Sequence, residues 1–357
     1  MSVGASADGR RVRRKVSGQT KVAVKAKLEK LHDEMRLGVR SSANYAVRNA
    51  VEDWLAHGLT GAAAKTISTN KEVLAPLVAL IGAAKLRDLT ANDVRSALER
   101  LARTRSTRTV QLAQGALVRA IRYAEASDLV GRNVAALVST PRGQAGRPSK
   151  SLTVEQARAL LKASEQARLH AYIVLCLLTG CRPEEARALR WDHVDLKGDP
   201  DARPPVPPHI NVWRSVRAGG DVKTAKSRRS LRIPAMAVEA LAAHRVRQAR
   251  DRLIAGEMWQ DNGLVFASAV GTPLDPSHVR RAFKKICQDA GIGEDWTPRE
   301  LRHTFVSIMS EQGVPVEEIA RLVGHSATAT TETVYRHELR PVISTGAEVM
   351  DTIFKTG

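Results

Sequence analysis

The chain is 357 residues long, with 43% hydrophobic residues, a net charge of +19 and a pI near 10.4. That length and apolar content accommodate two domains and a small third, and an excess of arginine spread through otherwise globular segments points to a polyanionic partner, nucleic acid foremost. Only 4% of residues are aromatic, which disfavours a single-strand binder that stacks bases, and no apolar run reaches the length of a membrane span. Cys176, Cys181 and Cys287 lack any Cys-x-x-Cys spacing. They read as buried free thiols of a reducing interior, so a cytoplasmic location is expected.

Residues 1–10 are small and polar and read as disordered. Residues 11–16 alternate loosely, as in a short basic strand, and Thr20 opens a helix with Leu28, Leu31 and Met35 on one side. Neither piece buries a core alone. The 1–41 segment therefore reads equally as an accessory DNA-contacting arm or as a solvated basic tail.

From 42 to 138 the pattern is helical throughout. Val47, Val51, Trp54 and Leu55 form an apolar stripe ended by Gly58; Thr90 and Asp93 make a capping box for a helix bearing Val94, Leu98 and Leu101. Ser106 opens another helix, which turns Val110, Leu117, Ile121 and Ala124 inward. Arg103, Arg105, Arg108, Arg119 and Arg122 fall outward or in the turn between these two helices, so a bundle of four or five helices with one basic, DNA-facing side is expected. Residues 139–150, STPRGQAGRPSK, form a linker by composition, and their charge suits a strap along a phosphate backbone.

The second domain, 151–340, opens on a capping box at Thr153 and Gln156. Residues 172–178 are continuously apolar, a buried helix, and run into Thr179-Gly180-Cys181-Arg182-Pro183-Glu184-Glu185, where glycine turns the chain and proline starts a new helix. Residues 189–196 read as a helix end passing into a strand. Ile210, Val212 and Arg214 set against Ser230, Arg232 and Pro234 read as two strands joined through a hairpin tip that holds Lys223. Further helices are expected over 234–255, 277–290 and 298–312.

Thr297 before Pro298 reads as a cap followed by proline at the first helical position, which puts Arg299 and Arg302 one turn apart on one face. Guanidinium forks match phosphate oxygens two at a time. Glu185 follows Arg182 by one turn and can hold its guanidinium in place, and Lys223 sits on a flexible stem able to reach a leaving-group oxygen. Lys226, Arg228 and Arg229 read as backbone contacts or solvated hairpin charge, with Lys226 second to Lys223 as an acid. Tyr335 is the only tyrosine after Tyr172, so a nucleophilic phenol on the C-terminal segment must be this one. His325 and His337 flank it, but no carboxylate or cysteine completes a metal spacing.

From residue 42 to Tyr335 the chain resembles the tyrosine recombinase, or phage integrase, family. The resemblance is carried in order by Thr-Gly-Cys-Arg182-Pro-Glu-Glu185, Lys223-Thr, Arg299-x-x-Arg302-His303, Leu-Val-Gly-His325, and Tyr335 ten residues after that histidine. It implies a mainly α fold with a small β-sheet: a helical core-binding domain (a SAM-like bundle) and an α+β catalytic domain, closing as a clamp on duplex DNA. It also implies a site-specific recombinase in which Tyr335 attacks a phosphodiester to give a 3′-phosphotyrosyl link, without metal or ATP. Arg182 and Arg302 would clamp the phosphate, His325 would bond it, and Lys223 would protonate the 5′-oxygen. Arg299 stands where the family most often has histidine. Arginine keeps its proton, so Arg299 is expected as a third phosphate donor, with His303 as the acid-base substitute or as an internally bonded helix histidine.

The expected partners are attachment-site duplex DNA, three further copies in a tetramer, and an excisionase or DNA-bending accessory protein. The 341–357 tail carries Ile343, Ala347, Met350 and Phe354 at helical spacing, a stripe expected to dock on a neighbouring protomer or fold back on its own domain. The competing functions are a chromosome-dimer-resolving recombinase of the same family and a non-catalytic DNA-binding regulator with the same fold.

Overall fold

The computed structural model describes residues 2–5, 11–13, 16–36, 44–148, 150–216 and 228–324. Lys223, Lys226, His325, Tyr335, His337 and the 341–357 tail lie outside the described residues. The chain divides into two compact units, Met1–Arg147 and Pro148–Gly357.

In the first unit, β1 (Ser2–Ala5) pairs antiparallel with β2 (Arg11–Arg13). For residues 2–5 this corrects the reading of 1–10 as disordered, since cross-strand pairing satisfies backbone groups in a stretch whose composition is uninformative; the rest of 1–10 lies outside the described residues. Helix α1 (Lys21–Arg36) starts where expected, its Thr20 hydroxyl accepting the Ala23 N–H at 3.2 Å. The bundle is built from α2 (Val47–His57), α3 (Ala64–Ile81), α4 (Ala91–Ala102) and α5 (Thr107–Ala126). α5 packs on the other three, burying Val110, Leu117, Ile121 and Ala124 against Val47, Val51, Trp54, Leu98 and Leu101.

The first part of the compositional linker is not a free strap. Buried Gln114 donates to the Val138 carbonyl and accepts from Thr140, and the Gln144 N–H bonds the Arg105 carbonyl at 2.8 Å. Gly143 permits this approach, since a Cβ there would lie 2.4 Å from the Arg105 oxygen.

The second unit is centred on α7 (His170–Thr179), which is apolar on every side and buries Ala171, Tyr172, Ile173, Val174, Leu175 and Leu177. Each such large side chain contributes about 1.5–3 kcal/mol of transfer free energy. Around it stand α6 (Val154–Ser164), α9 (Ala235–Ala255), α10 (Pro276–Asp289) and α11 (Arg299–Glu311). Thr153 and Gln156 form the expected capping box.

The sheet has three strands, in the order β3 (Val194–Asp195), β4 (His209–Val212) and β5 (Arg229–Arg232), all antiparallel, with Ile210 opposite Leu231. Two strand expectations are corrected. Arg214 lies beyond β4, and Pro234, read both as a strand residue and as the start of the 234–255 helix, is the N-cap of α9, its fixed φ and missing N–H suiting a helix start.

Candidate active site

α7 ends at Gly180, whose left-handed backbone (φ 63°) reverses the chain. A Cβ at that position would also meet the Phe305 ring at 2.6 Å, so glycine is required twice over. The reversal delivers Arg182 as the N-cap of α8 (Pro183–Arg187), with Pro183 at the first helical position as expected. Glu185, one turn on, accepts the Arg182 backbone N–H at 3.0 Å and its guanidinium at 2.7 Å.

Arg302 comes from α11, which begins one residue later than the sequence suggests. Pro298 is the N-cap, while the Glu300 carboxylate accepts the Thr297 backbone N–H at 2.6 Å and its hydroxyl at 3.3 Å. The amphipathic period then turns Arg302 inward, to 6% exposure.

The third wall is α12 (Val316–Val323), a short helix that is not among those expected from the sequence, although Pro315 precedes it, Glu317 and Glu318 stand in its first turn and Gly324 follows it. Its last carbonyls have no partners within the helix and carry the negative end of its dipole. Three arginines from three elements meet them in succession. Arg229 Nε donates to the Leu322 carbonyl at 2.8 Å, Arg302 Nη2 to that of Val323 at 2.7 Å, and Arg182 Nη2 to that of Gly324 at 3.1 Å. Arg302 Nη1 also donates to the Gly180 carbonyl at 2.7 Å, tying the end of α7 to the end of α12.

Glu185 lies among these guanidiniums, accepting from Arg229 Nη2 at 2.8 Å as well as from Arg182. Burial alone would push its carboxyl up, but Arg229 and Arg182 outweigh that and hold it below the usual carboxylate range. Three guanidiniums against one carboxylate leave the cluster with two net positive charges. Arg182 is the one among them with substantial access to solvent, its side chain 34% exposed against 9% for Arg229. The arrangement can bind an anion at Arg182 with no reorganisation of the donors behind it.

The sequence reading missed Arg229. It was grouped with Lys226 and Arg228 as backbone contact or solvated charge, yet it stands two residues before buried Leu231 on the same face of β5. That period-2 relation is the signal that could have found it.

Arg299, at the first position of α11, is exposed and lines a cleft of about 240 Å³ with Glu184, Arg187 and Arg280. His303 is half-buried, and its pKa is pushed down to about 4 by burial and by the neighbouring Arg299 and Arg302. It is a neutral imidazole near pH 7. Cys176, Cys181 and Cys287 are all buried free thiols, and burial pushes the Cys181 thiol up. Among the described residues no group of three His, Cys, Asp or Glu side chains could hold a metal ion.

The first unit carries the second candidate surface. Arg103, Arg105, Arg108, Arg119 and Arg122 are all exposed, with Arg119 held by Asn70 at 3.1 Å and over the Trp54 ring at 5.5 Å.

A family model described as the phage integrase family matches residues 150–340. Over its whole length the chain is 54% identical to an integrase of Streptomyces ambofaciens, covering 93% of that protein. Its fold is similar to that of the Tn1549 transposon integrase solved in complex with a circular intermediate DNA, with a TM-score of 0.68 at 16% identity over 87% of this chain and 99% of that one. It is also similar in fold to a lambda integrase solved as a tetramer bound to a Holliday junction, with a TM-score of 0.62 at 16% identity over 95% of this chain and 93% of that one.

Proposed function

The chain belongs to the phage integrase family and is a tyrosine-type site-specific DNA recombinase, and from that premise we propose how its own residues divide the chemistry. Arg182 and Arg302 bind the non-bridging oxygens of the scissile phosphate. The Tyr335 phenol oxygen attacks phosphorus as its proton passes to solvent water, the bond to the 5′-oxygen breaks, and Lys223 gives that oxygen its proton. The reverse step, with the 5′-hydroxyl of the exchanged strand as nucleophile, rejoins the DNA. One phosphoester is traded for another, so no external energy source enters. His325 is a further donor to the phosphate, and Arg299 is a cationic contact to the backbone.

The observation that supports this reading is the succession of arginine bonds to the Leu322, Val323 and Gly324 carbonyls. They fix the guanidiniums before substrate arrives, and they fix them along the three residues that immediately precede His325. An arginine used only for surface affinity has no need of such anchoring, and exposed pairs contribute little. The 54% identical relative is an integrase along its whole alignment with this chain, which favours integration over chromosome-dimer resolution.

The partners are duplex DNA and further copies of the chain. In our reading residues 42–138 grip the core site, 1–41 reach an arm site, 139–150 join the grips, 151–340 carry the chemistry and 341–357 contact a neighbouring protomer. An excisionase or DNA-bending protein sets direction. No described helix is long and apolar enough to cross a membrane, and the nucleoid of a bacterial cytoplasm is the proposed location.

The test is a nicked suicide duplex carrying the core site. Wild type is expected to become covalently attached and Tyr335→Phe is not; an adduct that persists in the variant removes Tyr335 as nucleophile.

A further inference from the structure

We propose that Arg229, which belongs to none of the motifs that carry the family resemblance, is a positioning residue for strand cleavage, locking the strand that follows Lys223 in sequence to the helix end that precedes His325. The inference rests on the catalytic reading above and deepens it.

Arg229 opens β5 and is the second described residue after the 217–227 segment, six positions beyond Lys223. Its guanidinium is nearly out of solvent, with the side chain 9% exposed, and it makes bonds in two directions. One is the ion pair with Glu185, through Nη2 at 2.8 Å and Nη1 at 3.4 Å. The other is Nε to the Leu322 carbonyl at 2.8 Å. A single planar fork therefore joins the first residue of β5, the α8 carboxylate that orients Arg182, and the last turn of α12.

Gly324 is part of the same lock. Its φ is 66°, and a Cβ there would fall 2.9 Å from Arg229 Nη1, so the guanidinium lies against the very residue from which the chain departs toward His325. Lysine could not reproduce this, because an ammonium lacks the planar fork that serves Glu185 and a carbonyl together. Loss of Arg229 leaves the Leu322 carbonyl without this donor and leaves Glu185 to draw on Arg182 alone, pulling that guanidinium out of register with the phosphate. Both routes displace groups assigned to the phosphate without removing any of them, and misplacement of that kind slows chemistry by about 10- to 100-fold.

The experiment uses the full chain on the nicked suicide duplex at saturating DNA, comparing wild type with Arg229→Ala and Arg229→Lys. Single-turnover cleavage, duplex affinity by gel shift and circular dichroism at the assay temperature are measured together. The expected result is a folded variant whose duplex affinity stays within about threefold of wild type while cleavage falls about 10- to 100-fold. Added guanidinium chloride, well below denaturing concentration, should restore part of the Arg229→Ala rate by reoccupying the site between Glu185 and Leu322. It should restore nothing in Arg229→Ala/Glu185→Gln, where the anion is gone.

Arg229→Lys keeps the charge and serves as the reading variant if the alanine protein does not fold. Cleavage within about threefold of wild type in either folded variant overturns the proposal, as does a loss of rate matched by an equal loss of affinity. Failure of wild type itself to form a Tyr335-dependent adduct is a different result. It removes the catalytic reading and this inference together, whereas an unaffected Arg229 variant removes only the inference.

Discussion

Replacement of Arg302 by alanine should separate two roles that a single side chain carries. Arg302 is 6% exposed and donates at 2.7 Å to the carbonyls of both Gly180 and Val323. Each carbonyl left buried without its donor costs about 1–3 kcal/mol, so Arg302→Ala should lose roughly 2–6 kcal/mol of stability. Arg182→Ala removes a bond only to the Gly324 carbonyl and to Glu185, which keeps Arg229, at a side chain 34% exposed where water can enter. Its stability loss should be no more than about 1–2 kcal/mol. Both variants should nevertheless lose cleavage by about 10²–10³ or more, the usual effect of deleting a preorganised donor to a developing oxyanion. Urea titrations give the stabilities, the suicide duplex gives cleavage, and a gel shift gives affinity at a temperature where both proteins remain folded. An Arg302→Ala protein as stable as wild type, or a folded one that still cleaves, would refute these roles for Arg302. If duplex binding collapses in step with cleavage, these arginines are affinity contacts rather than a phosphate clamp.

Gly180→Ala should destabilise by about 1–3 kcal/mol, since the left-handed backbone is strained for alanine and its Cβ would press on Phe305 at 2.6 Å; a melting temperature equal to wild type would contradict this. Acid should weaken the fold through two groups. His303 has a folded pKa of about 4 against an ordinary 6.5, so the folded state binds fewer protons between those values and stability falls as pH drops through that window. The full shift corresponds to at most about 3.4 kcal/mol, and solvent screening at a half-buried site reduces this to roughly 1–2 kcal/mol. His303→Gln should flatten the stability profile between pH 4 and 6.5, and an unchanged slope would refute the assignment. Glu185, held below its ordinary value, contributes stability that is present above the unfolded carboxylate pKa and lost as pH falls through the folded one. On the first unit, replacing exposed Arg103, Arg105 and Arg108 by alanine should weaken duplex binding uniformly across sequences. The slope of log affinity against log salt should drop by about 0.9 for each true phosphate contact, and a slope that does not move would make them solvated charge.

Much of the helical architecture is local and therefore legible. Caps at Thr90, Ser106 and Thr153 and the period of Val110, Leu117, Ile121 and Ala124 act within a few residues of themselves, and the structure places them as their spacing requires. The β1–β2 pairing was hidden because its stabilisation comes from a partner strand rather than from composition. The linker-like stretch reads as free by composition, but Gln114, on a helix well upstream, decides that its first part is held.

The active-site arginines divide along the same line. That Arg182 starts a helix with Glu185 one turn on, and that Arg299 and Arg302 share a helix, follows from sequence alone, because helix geometry relates residues three apart whatever surrounds them. The tertiary structure decided what those arginines hold. Leu322, Val323 and Gly324 offer carbonyls that every residue possesses, so nothing in their side chains marks them as acceptors; their role exists only because α12 ends where β5, α8 and α11 converge. Arg229 passed for surface charge for the same reason, since burial is a property of its neighbours and its neighbours come from distant parts of the chain.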